Sequence, residues 1–303
     1  MINTKINFCG VEFKNPIVTA SGTFGFGMEY NQFAPLEEYG GFSAKGLTRK
    51  PREGNKPPRI AETPSGILNS VGLQNPGVEY FAKSIMPILE DYDTNVIANM
   101  SGNTIEEYCE MAQILSDTGV SIIEMNISCP NVKHGGLAFG TDPRVVEELT
   151  AAVKKHCKKP LVVKLSPNVT SISEIAKAAE SGGADGLSLI NTLLGMKIDI
   201  NTRRPILKNN TGGLSGPAVK PVAVRMIHEV HEAVKLPIIG MGGVMSGEDV
   251  IEFMLAGASL VALGTGLFAK PDLIIPAKQD IMKYMEKHSI DDINSIIGAA
   301  VMN

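Results

Sequence analysis

The chain is short of cysteine and histidine, has no long apolar run and carries no excess of positive charge, and each shortage closes a class of function. Its four cysteines, Cys9, Cys109, Cys129 and Cys157, are scattered and make no C-x-x-C pair. That argues against a structural zinc site, an iron–sulfur cluster held by this chain alone, and a disulfide framework. Five histidines show no H-E-x-x-H or similar spacing, so no protein-built metal site is expected. No apolar run approaches the roughly 20 residues needed to span a bilayer. The opening residues, MINTKINFCGVEF, lack the apolar stretch and cleavage pattern of a signal peptide. The expectation is a cytoplasmic protein with no membrane partner. A net charge of −4 and a pI near 5.8 leave no general basic face, so nucleic acid is not expected either. Any redox chemistry in this chain needs a borrowed organic cofactor.

What is present is a regular alternation. Residues 6–18, INFCGVEFKNPIV, read as a hairpin turned at Cys9-Gly10 that leads into a first buried strand near Pro16–Ala20. Further strands are expected at Gly41–Lys45, Asn95–Asn99, Ser121–Asn126, Leu161–Leu165, Gly186–Ile190, Pro237–Gly240 and Leu260–Leu263. These are continuous apolar runs, as strands covered on both faces require. The intervening helices have readable ends. Thr104 with Glu107 forms a capping box ahead of Tyr108, Met111, Ala112 and Leu115, which share one helical face. Asp142-Pro143 is an N-cap with proline in the first turn, and Val145, Leu149 and Ala152 give the stripe behind it. Ser246 and Asp249 form a second box, closed by Gly257. Helices near 171–181 and 217–235 fill the remaining gaps.

Eight such alternations over about 260 residues favour a (β/α)8 TIM barrel over a doubly wound sheet. With no composition shift to mark a linker, residues 1–303 are expected to form one barrel domain with an N-terminal β-hairpin. Residues 47–80 and 193–215 exceed the minimal barrel, and both leave strand ends on the same rim. They are expected to be inserted loops covering that C-terminal rim.

In a barrel the loops after the strands build the site. Here they contain Ser21-Gly22, Lys45-Gly46, Asn99-Met100-Ser101, Asn126-Ile127-Ser128-Cys129, Lys164-Leu165-Ser166, Asn191-Thr192, Gly242-Gly243 and Gly264-Thr265-Gly266. A lysine at the end of a buried strand is costly unless something anionic meets it. Two lysines with three amides and few acids point to an anionic, hydrogen-bonding ligand rather than two structural ion pairs. Bare backbone after strands seven and eight suits a phosphate. Residues 264–269 also match the loose pattern G-x-G-x-x-A. Pro271 follows, however, and too little chain remains for a dinucleotide-binding sheet.

Taken together, Ser21-Gly22, Lys45-Gly46, the N-S-V-G-L run Asn69-Ser70-Val71-Gly72-Leu73, Asn99, the N-x-S-C-P-N run Asn126–Asn131, Lys164, Asn191-Thr192, Gly242-Gly243 and Gly264-Thr265 make the chain resemble the dihydroorotate dehydrogenases. The match runs essentially end to end. The resemblance implies an FMN enzyme of pyrimidine biosynthesis that oxidises dihydroorotate to orotate. By position, Cys129 is the expected base, taking the C5 proton while hydride leaves C6 for flavin N5. Lys45, the Asn69–Leu73 loop, Asn126, Asn191 and Thr192 are the expected substrate contacts. Ser21, Lys45, Gly46, Asn99, Asn126, Lys164, Ile190 and Gly216 are expected to line the FMN, with its phosphate on Gly242, Gly243, Gly264 and Thr265. Lys164 near the pyrimidine end would stabilise the charge gained on reduction.

The same resemblance sorts the subclass. The quinone-linked class carries an N-terminal extension and a serine base, whereas this chain has Cys129 and no such extension. V-K-H-G-G-L-A-F-G after the Cys-Pro step looks like the NAD-linked class 1B rather than the fumarate-linked class 1A. Class 1B implies a partner subunit carrying FAD and a 2Fe–2S cluster, NAD+ as final acceptor, and a homodimer within a heterotetramer. A barrel that binds FMN or phosphate without turnover is the non-enzyme alternative. A free thiol of pKa about 8.5 is only a few per cent thiolate at pH 7. The base therefore needs the charge of Lys45, or a covering loop hinged at Gly135-Gly136, to tune it.

Overall fold

The computed structural model describes residues 2–128 and 139–302. The chain opens with the hairpin β1 (Ile6–Phe8) and β2 (Val11–Phe13), whose turn uses positive φ at both Cys9 (53°) and Gly10 (82°). In chain order there follow β3 (Ile17–Thr19), β4 (Gly41–Ser43), β5 (Ile60–Thr63), β6 (Gly66–Asn69), β7 (Asn95–Met100), β8 (Ile122–Asn126), β9 (Leu161–Lys164) and β10 (Gly186–Leu189). The last are β11 (Leu193–Met196), β12 (Ile198–Asp199), β13 (Arg204–Pro205), β14 (Thr211–Ser215), β15 (Ile238–Met241) and β16 (Leu260–Leu263).

Eight of these form one parallel sheet in the order β3-β16-β15-β10-β9-β8-β7-β4. The Gly40 N–H donates to Ile17 O at 2.9 Å, drawing β4 back against β3, so the sheet curls into a barrel. Each expected barrel strand lies within one or two residues of its reading from the sequence. Their apolar residues pack in one continuous core with the surrounding helices.

The caps form as expected. Thr104 Oγ1 accepts from the Glu107 N–H (3.2 Å), and helix Ile105–Ser116 buries Tyr108, Met111, Ala112 and Leu115. The return arm of that box lands one residue early, because Glu107 Oε2 accepts from the Asn103 N–H (2.7 Å). Ser246 caps helix Gly247–Leu255, and Asp249 Oδ2 accepts from the Met245 N–H (2.7 Å). One stripe is corrected. Helix Pro143–Lys154 buries Val146, Leu149, Thr150 and Val153, while Val145 and Ala152 sit at its margins. Both readings have helical spacing and share Leu149; packing against helix Ile172–Ser181 selects the other face.

The two inserts hold ordered strands rather than plain loops. β11, β14, β6 and β5 form one antiparallel sheet, with Gly213, Leu214 and Ser215 opposite Asn69, Leu68 and Ile67. This sheet joins residues more than 140 positions apart, and Ala61, Leu68 and Leu207 form a small core beneath it. Gly66 permits the crossing, since a Cβ there would lie 2.0 Å from Ser215 O. Among the described residues no helix is long and apolar enough to cross a membrane.

Candidate active site

The site residues stand where the barrel strands end. Lys45 follows β4, and its N–H donates to Gly25 O at 2.8 Å. Its side chain lines a cleft of about 450 Å³ together with Arg52, Gln74 and Asn75. Burial, and then the charge of Arg59, hold the Lys45 ammonium below its ordinary pKa of 10.5. Among the described residues no carboxylate pairs with it.

Gly46 is the meeting point of three other expected site residues. A Cβ there would lie 2.9 Å from Asn99 Oδ1, 3.4 Å from a Leu73 methyl and 3.7 Å from Ser21 Oγ. The Ser70–Leu73 run is held by Asn55, whose Nδ2 donates to Ser70 O (2.9 Å) and whose N–H donates to Val71 O (2.9 Å). Gly72 (φ 80°) packs directly on Asn55, where a Cβ would fall 2.6 Å from its carboxamide carbon.

Lys164 departs from expectation. It is only 5% exposed, and Glu124 Oε2 stands 3.6 Å from its Nζ. Glu124 is fully buried inside the barrel, and its carboxylate accepts from Asn99 Nδ2 (2.5 Å) and Ser188 Oγ (2.7 Å). The expectation that both rim lysines await an external anion is therefore corrected for Lys164, which already faces a carboxylate. The signal lay in SIIEMN. An acid inside an apolar strand, two residues before Asn126 and so on the same face, belongs to the barrel interior.

The amides form a connected row. Asn191 Nδ2 donates to Asn126 Oδ1 (3.2 Å), Asn126 Oδ1 also accepts from the Ser128 N–H (3.1 Å), and Asn191 Oδ1 accepts from the Thr192 N–H (2.8 Å). Gly213 of β14 lies against Thr192, where a Cβ would come 2.0 Å from Oγ1, and Gly213 O accepts from Asn69 Nδ2 (3.4 Å). The inserted sheet thus brings Asn69 to the Gly213 backbone that packs on Thr192. Two residues outside the expected set help hold this row. Tyr108 OH donates to Asn126 O (2.7 Å), and Asn168 Nδ2 donates to Thr192 O (3.0 Å) while its Oδ1 accepts from the Leu194 N–H (2.9 Å).

The glycine end is equally close-set. The Ile190 N–H donates to Met241 O (3.0 Å), and a Cβ on Gly242 would lie 3.2 Å from Ile190 Cγ1. A Cβ on Gly243 (φ 84°) would meet Gly216 O at 2.8 Å and the Lys220 backbone N, at the start of helix Lys220–Ala233, at 3.0 Å. Thr265 Oγ1 donates to Ser215 Oγ (2.8 Å). Gly264 faces open space, its absent Cβ touching only Ala20 Cβ at 3.5 Å, and Gly22 has nothing within 4 Å. Among the described residues, the buried hydroxyls of Ser70, Ser101 and Ser128 have no hydrogen-bond partner. Unsatisfied buried donors gathered at one rim are what a hydrogen-bonding ligand would satisfy.

Cys129, Gly135 and Gly136 lie outside the described residues. The other three cysteines are free and lie off the rim. Burial pushes the thiols of Cys9 and Cys157 up to about 12, so neither is a nucleophile or base near neutrality.

Barrel and rim together define a class: an α/β barrel whose strand ends assemble lysine, carboxamides and glycine-bared backbone on one rim. The sequence model of the family described as dihydroorotate dehydrogenase matches residues 3–285. The chain is 58% identical over 298 residues to a protein of Alkaliphilus metalliredigens named dihydroorotate dehydrogenase B (NAD(+)), catalytic subunit, covering 98% of this chain and 99% of that one. Proteins of the same name from Lachnoclostridium phytofermentans and Bacteroides thetaiotaomicron are 54% identical (98% and 99% covered) and 51% identical (99% of each). The chain belongs to the dihydroorotate dehydrogenase family.

Proposed function

We propose that the chain is the catalytic subunit of an NAD-linked dihydroorotate dehydrogenase, oxidising dihydroorotate to orotate in pyrimidine biosynthesis. The observation that carries this reading is the row Asn126–Asn191–Thr192, to which Gly213 links Asn69 across the two inserts, with Lys45, which has no carboxylate partner among the described residues, on the same rim. Carboxamides matched to ring amides and a half-buried ammonium matched to a carboxylate suit dihydroorotate in hydrogen bonding and charge.

FMN fits the remainder of the rim. The orphan hydroxyls of Ser70, Ser101 and Ser128 offer unused hydrogen bonds, and the space in front of Gly22 and Gly264 admits a ligand against bare backbone. Ser21, Lys45, Gly46, Asn99, Asn126, Lys164, Ile190 and Gly216 would line it, with Gly242, Gly243, Gly264 and Thr265 on the phosphate. The first N–H groups of helix Lys220–Ala233 add a positive dipole end beside Gly243. FMN, when bound, supplies the hydride acceptor.

The chain's own part is to bind and to move a proton. Lys45 and the amides hold the ring, and Cys129, three residues beyond Asn126 in the sequence, is the base that the resemblance assigns to the C5 proton. The Cys129 thiolate takes the C5 proton, and the ammonium of Lys45 favours that thiolate over the thiol. Electrons then pass to a partner subunit carrying FAD and a 2Fe–2S cluster, which delivers them to NAD+. The apolar side chains of Leu194, Met196, Ile198 and Ile200 stand exposed on the 193–215 insert, and a second copy of the chain is the cover we assign to them.

The test compares acceptors. Dihydroorotate with the chain plus its flavin/iron–sulfur partner yields NADH, and the chain alone does not. Fumarate reduction by the isolated chain would instead select the fumarate-linked class.

A further inference from the structure

The interior of the barrel holds an ionisable group, Glu124, to which neither substrate, base nor cofactor has been assigned. Glu124 is completely buried beneath the rim, packed against two uncharged donors and one cation: Asn99 Nδ2 at 2.5 Å, Ser188 Oγ at 2.7 Å and Lys164 Nζ at 3.6 Å. A buried carboxylate is expensive, and a buried ion pair adds little to stability when apolar residues could fill the same volume. Its geometry shows what it does to its neighbours.

The first neighbour is Asn99. A carboxylate only accepts, so the atom facing it must be the Asn99 NH2, which leaves Oδ1 pointed away, beside Gly46. Glu124 thereby turns Asn99 acceptor-outward, fixing which edge of a cofactor ring it can recognise: one that presents an N–H. The second neighbour is Lys164. At 3.6 Å the contact is electrostatic and too long for a hydrogen bond, and among the described residues Lys164 Nζ has no hydrogen-bond partner. Its charge is balanced from inside the barrel while its donors stay free for a ligand. Neither effect arises from a tight bidentate ion pair, which would consume the donors.

We infer that Glu124 is a positioning residue that orients Asn99 as an acceptor and counterbalances Lys164, so that the barrel holds down the reduction potential of the flavin it binds. The inference rests on the FMN reading above. Reduced flavin carries negative charge; a rim cation stabilises it, and a fixed anion behind that cation opposes it.

The test is the FMN midpoint potential, read by anaerobic spectroelectrochemistry on the flavin-loaded protein. Glu124→Gln keeps the shape and both hydrogen bonds, since Oε1 can accept from Asn99 and Nε2 can donate to Ser188 Oγ. It removes only the charge. The expected result is retained FMN and a tenfold shift of the two-electron reduction equilibrium toward reduced flavin, about 30 mV upward. Glu124→Asp draws the same charge back by one methylene and is expected to move the potential in the same direction by less. It provides the reading should the Gln variant not load. A merely structural role would lower thermal stability and FMN content and leave the potential of the remaining holoprotein at the wild-type value, and that result overturns the inference. A wild-type protein that takes up no flavin overturns the FMN reading itself, and the inference with it.

Discussion

Replacing Gly264 by alanine separates the phosphate cradle from everything else the rim does. Gly264 lies outside the left-handed region, and a Cβ there would touch only Ala20 Cβ, at an ordinary 3.5 Å. The apoprotein therefore has no clash to relieve. Restricting the unfolded chain makes Gly264→Ala neutral to stabilising, by about 0.4–1 kcal/mol. A bound phosphate meets a different situation. Its oxygens need backbone N–H groups at about 2.9 Å, whereas a methyl carbon keeps an oxygen at about 3.3 Å or beyond. Losing one or two charge-assisted hydrogen bonds costs about 2–4 kcal/mol, which is about 30- to 700-fold in affinity. Flavin fluorescence quenching on the apoprotein reads this directly, with riboflavin as the control because it lacks the phosphate. The reasoning predicts an unchanged or raised apoprotein melting temperature, weakened FMN binding and unchanged riboflavin binding. Equal weakening of both flavins, or a destabilised apoprotein, would refute it. Gly243→Ala is the contrasting case. At φ 84° its Cβ would collide with Gly216 O at 2.8 Å and Lys220 N at 3.0 Å, so folding itself is expected to lose about 2–5 kcal/mol.

Further variants and pH profiles test the individual roles. Cys129→Ala is expected to leave FMN bound and to nearly abolish flavin bleaching by dihydroorotate in stopped flow, while Cys129→Ser keeps a little activity that grows with pH; a near-normal rate in the alanine variant removes Cys129 from the mechanism. Because burial and Arg59 lower the pKa of Lys45, the unfolded chain binds more protons between that lowered value and 10.5, so this group's contribution makes stability rise with pH across the window. Orotate affinity runs the opposite way, falling as Lys45 loses its charge at a pH below 10.5, and Lys45→Met is expected to erase that inflection and weaken orotate by about 30- to 140-fold, or about 2–3 kcal/mol; an unaltered pH profile by calorimetry contradicts the role. Thr104→Ala, by contrast, removes only a helix cap, and is expected to cost about 1 kcal/mol in a denaturant melt with orotate affinity unchanged.

The barrel was legible because its strands are short apolar runs at helical intervals and its helices carry side-chain caps, both of which are local signals. The site was half legible. Lys45, Asn99, Asn126 and Asn191 stand at strand ends, so placing the strands placed them. The sheet that joins β6 to β14 was not readable, because pairing between residues near 68 and 214 leaves no periodic trace in either insert. With it went the way Asn69 reaches Thr192 through Gly213. Glu124 escaped notice for a different reason. One acid in SIIEMN looks like noise in an apolar run, and only the closed barrel shows that Asn99, Ser188 and Lys164 arrive from three other strands to meet it.

The central claim, that this rim binds FMN and reduces it with dihydroorotate, is tested most directly by one titration. The purified chain is scanned for flavin absorbance, oxygen is removed and dihydroorotate is added. The account predicts a yellow protein that bleaches in proportion to the dihydroorotate supplied and releases orotate. A yellow protein that dihydroorotate leaves yellow would contradict it.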